Sequence, residues 1–244
     1  MKAIGVIPAR YGSTRFPGKP LALINGKPMI EHVYRRVMQS EELEQVVIAT
    51  DDERIKKAAE KFGAMAVMTR SDHMSGSDRI SEVSKIVEGD FFVNIQGDEP
   101  LISPLLIDEL VREARMTNND IAITAMTEIV NKEEIDDPNI VKVVTDQLGY
   151  ALFFSRKGIP YNRTEKDAAY YKHIGLYGFP RAVLHGFVDL PPSQYEKIEM
   201  LEQLRLLENG YRIKMIKTDY DAVGVDTPED IEKVESIIGG KQYV

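Results

Sequence analysis

Cysteine is absent from all 244 residues. That excludes a disulfide framework, a thiolate metal centre and a Cys nucleophile, so any chemistry rests on other side chains. No run approaches the roughly 18 apolar residues of a membrane-spanning helix. The first apolar stretch, Ile4 to Ile7, ends at once in Pro8 and Arg10 and lacks the pattern of a secretory signal, so the expectation is a soluble cytoplasmic protein without membrane insertion. A basic surplus is missing too. With 39 Asp plus Glu against 31 Lys plus Arg, the net charge is -8, which argues against a nucleic-acid partner and leaves room for a small anion held by a few local cations. Internal repeats, low-complexity tracts and linkers are not seen, so one domain over 1–244 is expected.

The 43% hydrophobic content is ample for a core. The chain opens with KAIGVIPARYGSTRFPGKP, an apolar strand running into a loop that carries Arg10, Gly12, Arg15, Gly18 and Lys19. Glycines let backbone approach an anion and fixed cations neutralise it, so this turn reads as a polyphosphate cradle. It is not a P-loop, because five residues separate Gly12 from Gly18 and Pro20 follows Lys19 where a metal-binding hydroxyl would stand. It is not the dinucleotide fingerprint either, since the glycine spacing differs and a proline breaks the helix entry.

Further on, periodicity gives a helix over Pro28–Gln39 containing a structural His32, then a strand over Gln45–Thr50. A helix over Glu53–Phe62 capped by Asp51 or Asp52 and a strand over Ala64–Thr69 follow. This alternation implies a mostly parallel sheet with helices on both faces. RSDHMSGSDR (Arg70–Arg79) lies at a strand's carboxyl end, where open parallel sheets bind ligands; Ser77 or Asp78 could cap the helix through Ile80–Val87. Phe91–Ile95 reads as a strand ending in Gly97-Asp98, which puts a carboxylate at the same edge, able to hold a divalent cation on bound phosphates. Glu99 is the weaker metal candidate because its side chain points away from its neighbour's. A helix over Pro104–Met116 comes next.

From Asp120 the alternation breaks. Strands are expected over Ile121–Met126, Ile140–Thr145 and Tyr150–Phe154, the last two joined by a turn at Asp146–Gly149, with a short helix over Asn131–Ile135. Ser155–Tyr171, with Arg156, Tyr161, Arg163 and Tyr170, is compatible with a substrate-side loop or a plain surface insertion. On a strand over Lys172–Phe179, alternation puts His173 and Tyr177 on one face, as a sugar or carboxylate site or as core. One helix over Ser193–Asn209 has an apolar stripe of Ile198, Leu201, Leu204 and Leu207, leaving Glu199, Glu202, Gln203 and Arg205 off it. Arg212–Ile216 is the last strand. GVDTPEDI then gives Thr227 as N-cap, Pro228 at the first helical position and Asp226 at the joint, where it could share magnesium with Asp98.

IPARYGSTRFPGKPL, ATDDERI, MTRSDHMSGSDR, NIQGDEP, VKVV, ALFFSR, YKHIGLYGF, IEMLEQLR and GVDTPEDI, in this order, resemble the 3-deoxy-manno-octulosonate (Kdo) cytidylyltransferases. These are α/β proteins of the nucleotide-diphosphosugar transferase fold, Rossmann-like, with a small sugar-side hairpin or insert. The resemblance implies magnesium-dependent transfer of CMP from CTP to the anomeric hydroxyl of Kdo, for lipopolysaccharide or capsule synthesis, by a homodimer with a sugar-binding and dimerisation subregion near 130–190. It implies Arg10, Arg15 and Lys19 on the triphosphate and Ser75, Gly76 and Gln96 facing the nucleotide. Asp98 and Asp226 are implied on the metal, with Asp98, Asp226, Lys19 and Arg10 as the catalytic set. It implies Arg156, Arg163, His173, Tyr177, Glu202 and Gln203 around the sugar acid. Relatives that use the 8-amino analogue of Kdo leave that acceptor open. A non-catalytic relative that binds CTP and sugar acid would be expected to have lost Lys19 or a carboxylate, and both are present. A glycosyltransferase on this fold would use Gln96-Gly97-Asp98 as its metal motif; the intact cationic cradle suits nucleotidyl transfer better.

Overall fold

The computed structural model describes residues 1–12, 16–117, 120–164 and 166–240. In chain order the strands and helices are β1 (Ala3–Ala9), β2 (Leu23–Ile24), β3 (Lys27–Pro28), α1 (Met29–Val37), β4 (Gln45–Thr50), α2 (Glu53–Lys61), β5 (Met65–Met68), α3 (Gly76–Ile86), β6 (Phe91–Asn94) and α4 (Pro104–Met116). They continue with β7 (Ile121–Glu128), β8 (Lys142–Thr145), β9 (Ala151–Ser155), β10 (Tyr171–Pro180), α5 (Arg181–Asp189), α6 (Gln194–Glu199), α7 (Leu204–Glu208), β11 (Arg212–Lys217) and α8 (Pro228–Gly239). The expected α/β class with a mostly parallel sheet and flanking helices is what the chain forms. Its contacts divide it into two compact units, Met1–Asp108 with Ala222–Val244, and Glu109–Asp221.

In the first unit four parallel strands lie in the order β6, β1, β4, β5. β6, β1 and β4 are apolar almost throughout and buried on both faces, as a parallel layer covered by helices requires, whereas β5 at the edge is only partly buried. The chain winds from β1 out to β4 and β5, then returns to place β6 on the other side of β1. The direction of winding reverses between β1 and β6, and their carboxyl ends therefore open a crevice. Gly97 sits at that crevice. A Cβ there would stand 2.6 Å from the Pro8 carbonyl oxygen, so glycine is required by the close approach of the two strand ends.

The C-terminal segment closes the first unit. Val225 and Val234 are fully buried with Ile24, Met29 and Leu101, and Phe16, Val223 and Ile231 pack around them. α8 starts as expected, with a Thr227–Asp230 capping box and Pro228 in the first turn.

The second unit holds β11 parallel to β7, β10 antiparallel to β7, and the expected β8–β9 hairpin paired to the start of β10. Between Ile174 and Tyr177 the β10 register slips against Ala125–Thr124. Two residues bulge out, and an even number preserves the alternation, so His173 and Tyr177 stay on one face.

Three expectations change. α3 begins at Gly76, not near Ile80, because Ser75 is the N-cap in a reciprocal box with Asp78, whereas Ser77 and Asp78 lie inside the helix. The single helix over Ser193–Asn209 is two, α6 and α7, broken at Met200, whose φ of 52° is left-handed. Ile198 is consequently exposed, while Leu201, Leu204 and Leu206 form the buried set. Arg181–Asp189, unassigned from sequence, is helical, with Val183, Leu184 and Phe187 buried.

Candidate active site

The crevice between β1 and β6 is a cavity of about 270 Å³. Pro8, Ala9 and Arg10 enter it from β1, Lys19 and Pro20 from the cradle, and Met29 from α1. His73 to Gly76 and Arg79 line the side formed by α3, and Gln96 to Asp98 follow β6, with Asp226 opposite. Arg10, Lys19, Ser75, Gly76, Gln96, Asp98 and Asp226, expected from sequence to act together, thus share one cavity. Arg15 lies outside the described residues.

Lys19 is the hub. It sits on a 3₁₀ turn entered through Gly18, whose φ is 72° and whose missing side chain leaves room for the Tyr11 ring. Its ammonium donates to Asp98 Oδ2 at 2.6 Å, to the Val225 carbonyl at 2.8 Å and, more loosely, to Asp226 Oδ1 at 3.5 Å. The Val225 amide donates to the Asp98 carbonyl at 2.9 Å, so backbone as well as side chains joins the two distant segments. Side-chain exposure rises from 14% at Lys19 to 33% at Asp98 and 53% at Asp226, which leaves the carboxylates open on the cavity side.

Two carboxylates that already share a cation suit a second one. Among the described residues no cluster of three or more His, Cys, Asp or Glu side chains forms a self-contained cage. Magnesium keeps several waters and takes phosphate oxygens, so a two-carboxylate set fits it. Glu99 does not add to that charge. It is buried, its Oε2 has no hydrogen-bond partner among the described residues, and burial, then the neighbouring Asp98 charge, push its pKa up to about 8.

On the α3 side, the Ser75 hydroxyl accepts from the Asp78 amide, and the helix N-terminus with Gly76 faces the cavity, a favourable place for negative charge. His73, given no role from sequence, lines the cavity too, and its Nε2 is bonded to Glu82 of α3, whose carboxylate also accepts the Arg70 amide at 3.0 Å. Arg79 is a missed cation: 4% exposed, it bonds the Thr69 hydroxyl and, at 3.0 Å, Asp51. Only the strand-edge position of the RSDHMSGSDR segment signals either residue in the sequence. His32 bonds the Ile24 carbonyl at 2.8 Å and is structural, as expected.

The second unit gathers a different set. His173 packs against Tyr177, with ring centroids 5.1 Å apart, and edge-on against Phe154 at 5.2 Å. The single proton of the Thr124 hydroxyl goes to the Leu176 carbonyl at 2.7 Å, so its oxygen accepts from His173 Nε2 at 3.1 Å. That fixes the tautomer and leaves Nδ1 as an acceptor. Desolvation lowers the imidazole pKa to about 3, so the ring is neutral near pH 7. Burial, then the Glu202 charge, raise the pKa of Tyr177, and the neighbouring Thr124 hydroxyl offsets part of the rise. Gln203 is buried close by in sequence.

Arg156 and Arg163 differ. The Arg156 guanidinium donates to three carbonyls, those of Glu199, Pro138 and Met200. Arg163 is exposed, and no hydrogen bond or ion pair among the described residues joins its side chain to the His173–Tyr177 pair.

An open parallel sheet with a cationic cradle, a helix N-terminus and two carboxylates at its switch point defines a nucleotidyltransferase. Comparison with known proteins narrows this. The chain belongs to the cytidylyltransferase family, whose profile matches residues 4–216, and it is an enzyme of that kind. It is 50% identical over 97% of its length, and 94% of the relative's, to a 3-deoxy-manno-octulosonate cytidylyltransferase of Solibacter usitatus. To an 8-amino-3,8-dideoxy-manno-octulosonate cytidylyltransferase of Shewanella sp. (strain ANA-3) it is 48% identical, over 94% of this chain and 96% of that one. A solved CMP:2-keto-3-deoxy-manno-octonic acid synthetase complexed with CTP superposes with a TM-score of 0.95 at 45% identity, over 99% of this chain and 100% of that one.

Proposed function

We propose that the chain transfers CMP from CTP to the anomeric hydroxyl of 3-deoxy-manno-octulosonate, releasing pyrophosphate. The observation that carries this reading is the meeting of Lys19, Asp98 and Asp226 at the floor of the cavity, cation and paired carboxylates together. The anomeric oxygen attacks the α-phosphorus, the bond to the bridging oxygen breaks, and pyrophosphate leaves with that electron pair while the hydroxyl proton passes to solvent. Lys19 and Arg10 hold triphosphate oxygens and stabilise charge on the departing pyrophosphate; no covalent nucleophile is needed. Ser75, Gly76 and Gln96 face the nucleoside part. Asp98 and Asp226 would hold magnesium, which when bound neutralises phosphate charge and acidifies a coordinated hydroxyl.

The sugar acid falls to the second unit. Neutral His173 offers Nδ1 to a sugar hydroxyl, the Tyr177 hydroxyl offers a donor, and Glu202 and Gln203 supply further polar contacts. Arg163, an exposed cation, is assigned to the carboxylate. The 8-amino analogue is the second acceptor, supported by the 48% identity to relatives named for it. The protein works as a cytoplasmic homodimer whose product feeds lipopolysaccharide or capsule synthesis; exposed Leu152, Tyr195, Ile198 and Met200 in the second unit suit an apolar subunit contact.

Pyrophosphate release tests the reading, with CTP, magnesium and each of Kdo, its 8-amino analogue and N-acetylneuraminate. Release with an octulosonate, lost in Asp98→Ala, is expected. CTP binding without release for any acceptor would overturn it.

A further inference from the structure

α6 ends badly by local rules. Its last residue is an acid, Glu199, at the end of a helix where unpaired carbonyls disfavour negative charge. The next, Met200, takes a left-handed conformation that normally falls to glycine. Two successive departures from local preference persist only where surrounding contacts impose them, and they recur at functional sites.

The contacts are specific. The Glu199 carboxylate accepts from the Ser155 hydroxyl at 2.7 Å through Oε1 and from the Arg156 amide at 2.9 Å through Oε2. The Arg156 guanidinium answers by taking the carbonyls of Glu199 at 2.8 Å and Met200 at 3.4 Å. These carbonyls belong to the last residue of α6 and to its C-cap, where a helix lacks amide partners of its own. Lys142 holds the Arg156 carbonyl itself at 2.6 Å. The end of β9 and the elbow after α6 are therefore bolted together from both sides, and the elbow leads directly to Glu202 and Gln203.

We infer that Glu199 is a positioning residue for the sugar-acid site: its carboxylate locks the end of β9 to the Met200 elbow, and so sets where Glu202 and Gln203 stand. Glu199 acts through these residues and does not itself touch the acceptor. The inference rests on the reading that Glu202 serves the sugar acid.

Steady-state kinetics of the full-length protein test it, with Kdo and CTP varied in turn for the wild type, Glu199→Ala, Glu199→Gln, Ser155→Ala and Glu202→Gln. Removing a hydrogen-bonded carboxylate should raise KM for the sugar acid about tenfold in Glu199→Ala, with KM for CTP held within about twofold. Glu199→Gln keeps one acceptor oxygen for the Arg156 amide, so it should fall between. A role confined to general stability would lower Tm and the active fraction while leaving both KM values alone. Unchanged sugar KM in Glu199→Ala, or a CTP KM that rises in step, overturns the inference. Should Glu199→Ala fail to fold, Ser155→Ala decides, since a raised sugar KM supports the lock and an unchanged one overturns it. If Glu202→Gln raises the sugar KM and Glu199→Ala does not, the positioning role alone fails. If Glu202→Gln is itself silent, the sugar-site reading fails and takes the lock with it.

Discussion

At the cavity floor one ammonium group holds together what the chain order keeps apart. Lys19 reaches Asp98 and the Val225 carbonyl at hydrogen-bond distance and lies within ion-pair range of Asp226, so two carboxylates can stand side by side before any ligand arrives. The neighbouring Glu99 avoids the same repulsion by burial, with its pKa raised to about 8. His173 is the opposite case. Folding desolvates it and lowers its pKa from 6.5 to about 3. The unfolded chain takes up a proton near pH 6.5 and the folded chain only near pH 3. The stability tied to the neutral ring is therefore whole above about pH 6.5 and is lost as pH falls toward 3. Urea unfolding of the wild type and His173→Gln between pH 7.5 and 4 should show the wild type losing more as the solution is acidified, the variant lacking the ionisable ring. A difference between them that does not change with pH would mean that the imidazole is not held neutral.

Elements with strong local signals were readable from the chain. β4 spans Gln45–Thr50 and α4 spans Pro104–Met116, as a β-branched run and an apolar period dictate, and α8 starts where Thr227, Pro228 and Asp230 place it. The break between α6 and α7 was not readable. Leu201, Leu204 and Leu207 continue a helical period through it, and a left-handed methionine has no local signature; Arg156 and Glu199, far apart in sequence, decide it. The site divides the same way. Arg10, Lys19 and Asp98 announce themselves by motif and strand edge, whereas the joining of Asp98 to Asp226 depends on Val225 being buried beside Leu101 and Met29. Gly97 belongs here as well, because its need is set by β1 and not by its own turn. In Gly97→Ala the new Cβ meets backbone, which cannot rotate away, so the β1 and β6 ends must part. A loss of about 2–3 kcal/mol is expected, a fall in Tm of roughly 5–10 °C, with CTP binding weakened as Asp98 shifts. Gly12→Ala is the control. Among the described residues nothing lies within 4 Å of its added Cβ, and its Tm should match the wild type.

For the whole molecule, charge is arranged against its sum. The net charge of -8 would repel a nucleotide triphosphate, yet Arg10, Lys19 and the start of α3 gather at one cavity, so the local field governs binding. The same arrangement separates folding from metal loading. Asp226 is fixed by its neighbour Val225, fully buried with Met29 and Val234, and by an ammonium that already offsets part of the carboxylate charge. A divalent cation held there, as proposed above, would add catalysis and nucleotide affinity without completing the core. Chelation by EDTA should therefore abolish pyrophosphate release while leaving the Tm of the nucleotide-free protein within about 2 °C, an effect under roughly 1 kcal/mol. Adding CTP and magnesium together at about 100 times their half-saturating level should then raise stability by about 2.7 kcal/mol. Differential scanning calorimetry with and without EDTA reads both. A large fall in Tm on chelation alone would show that the carboxylates need the metal to stand together and that Lys19 is not their resident partner.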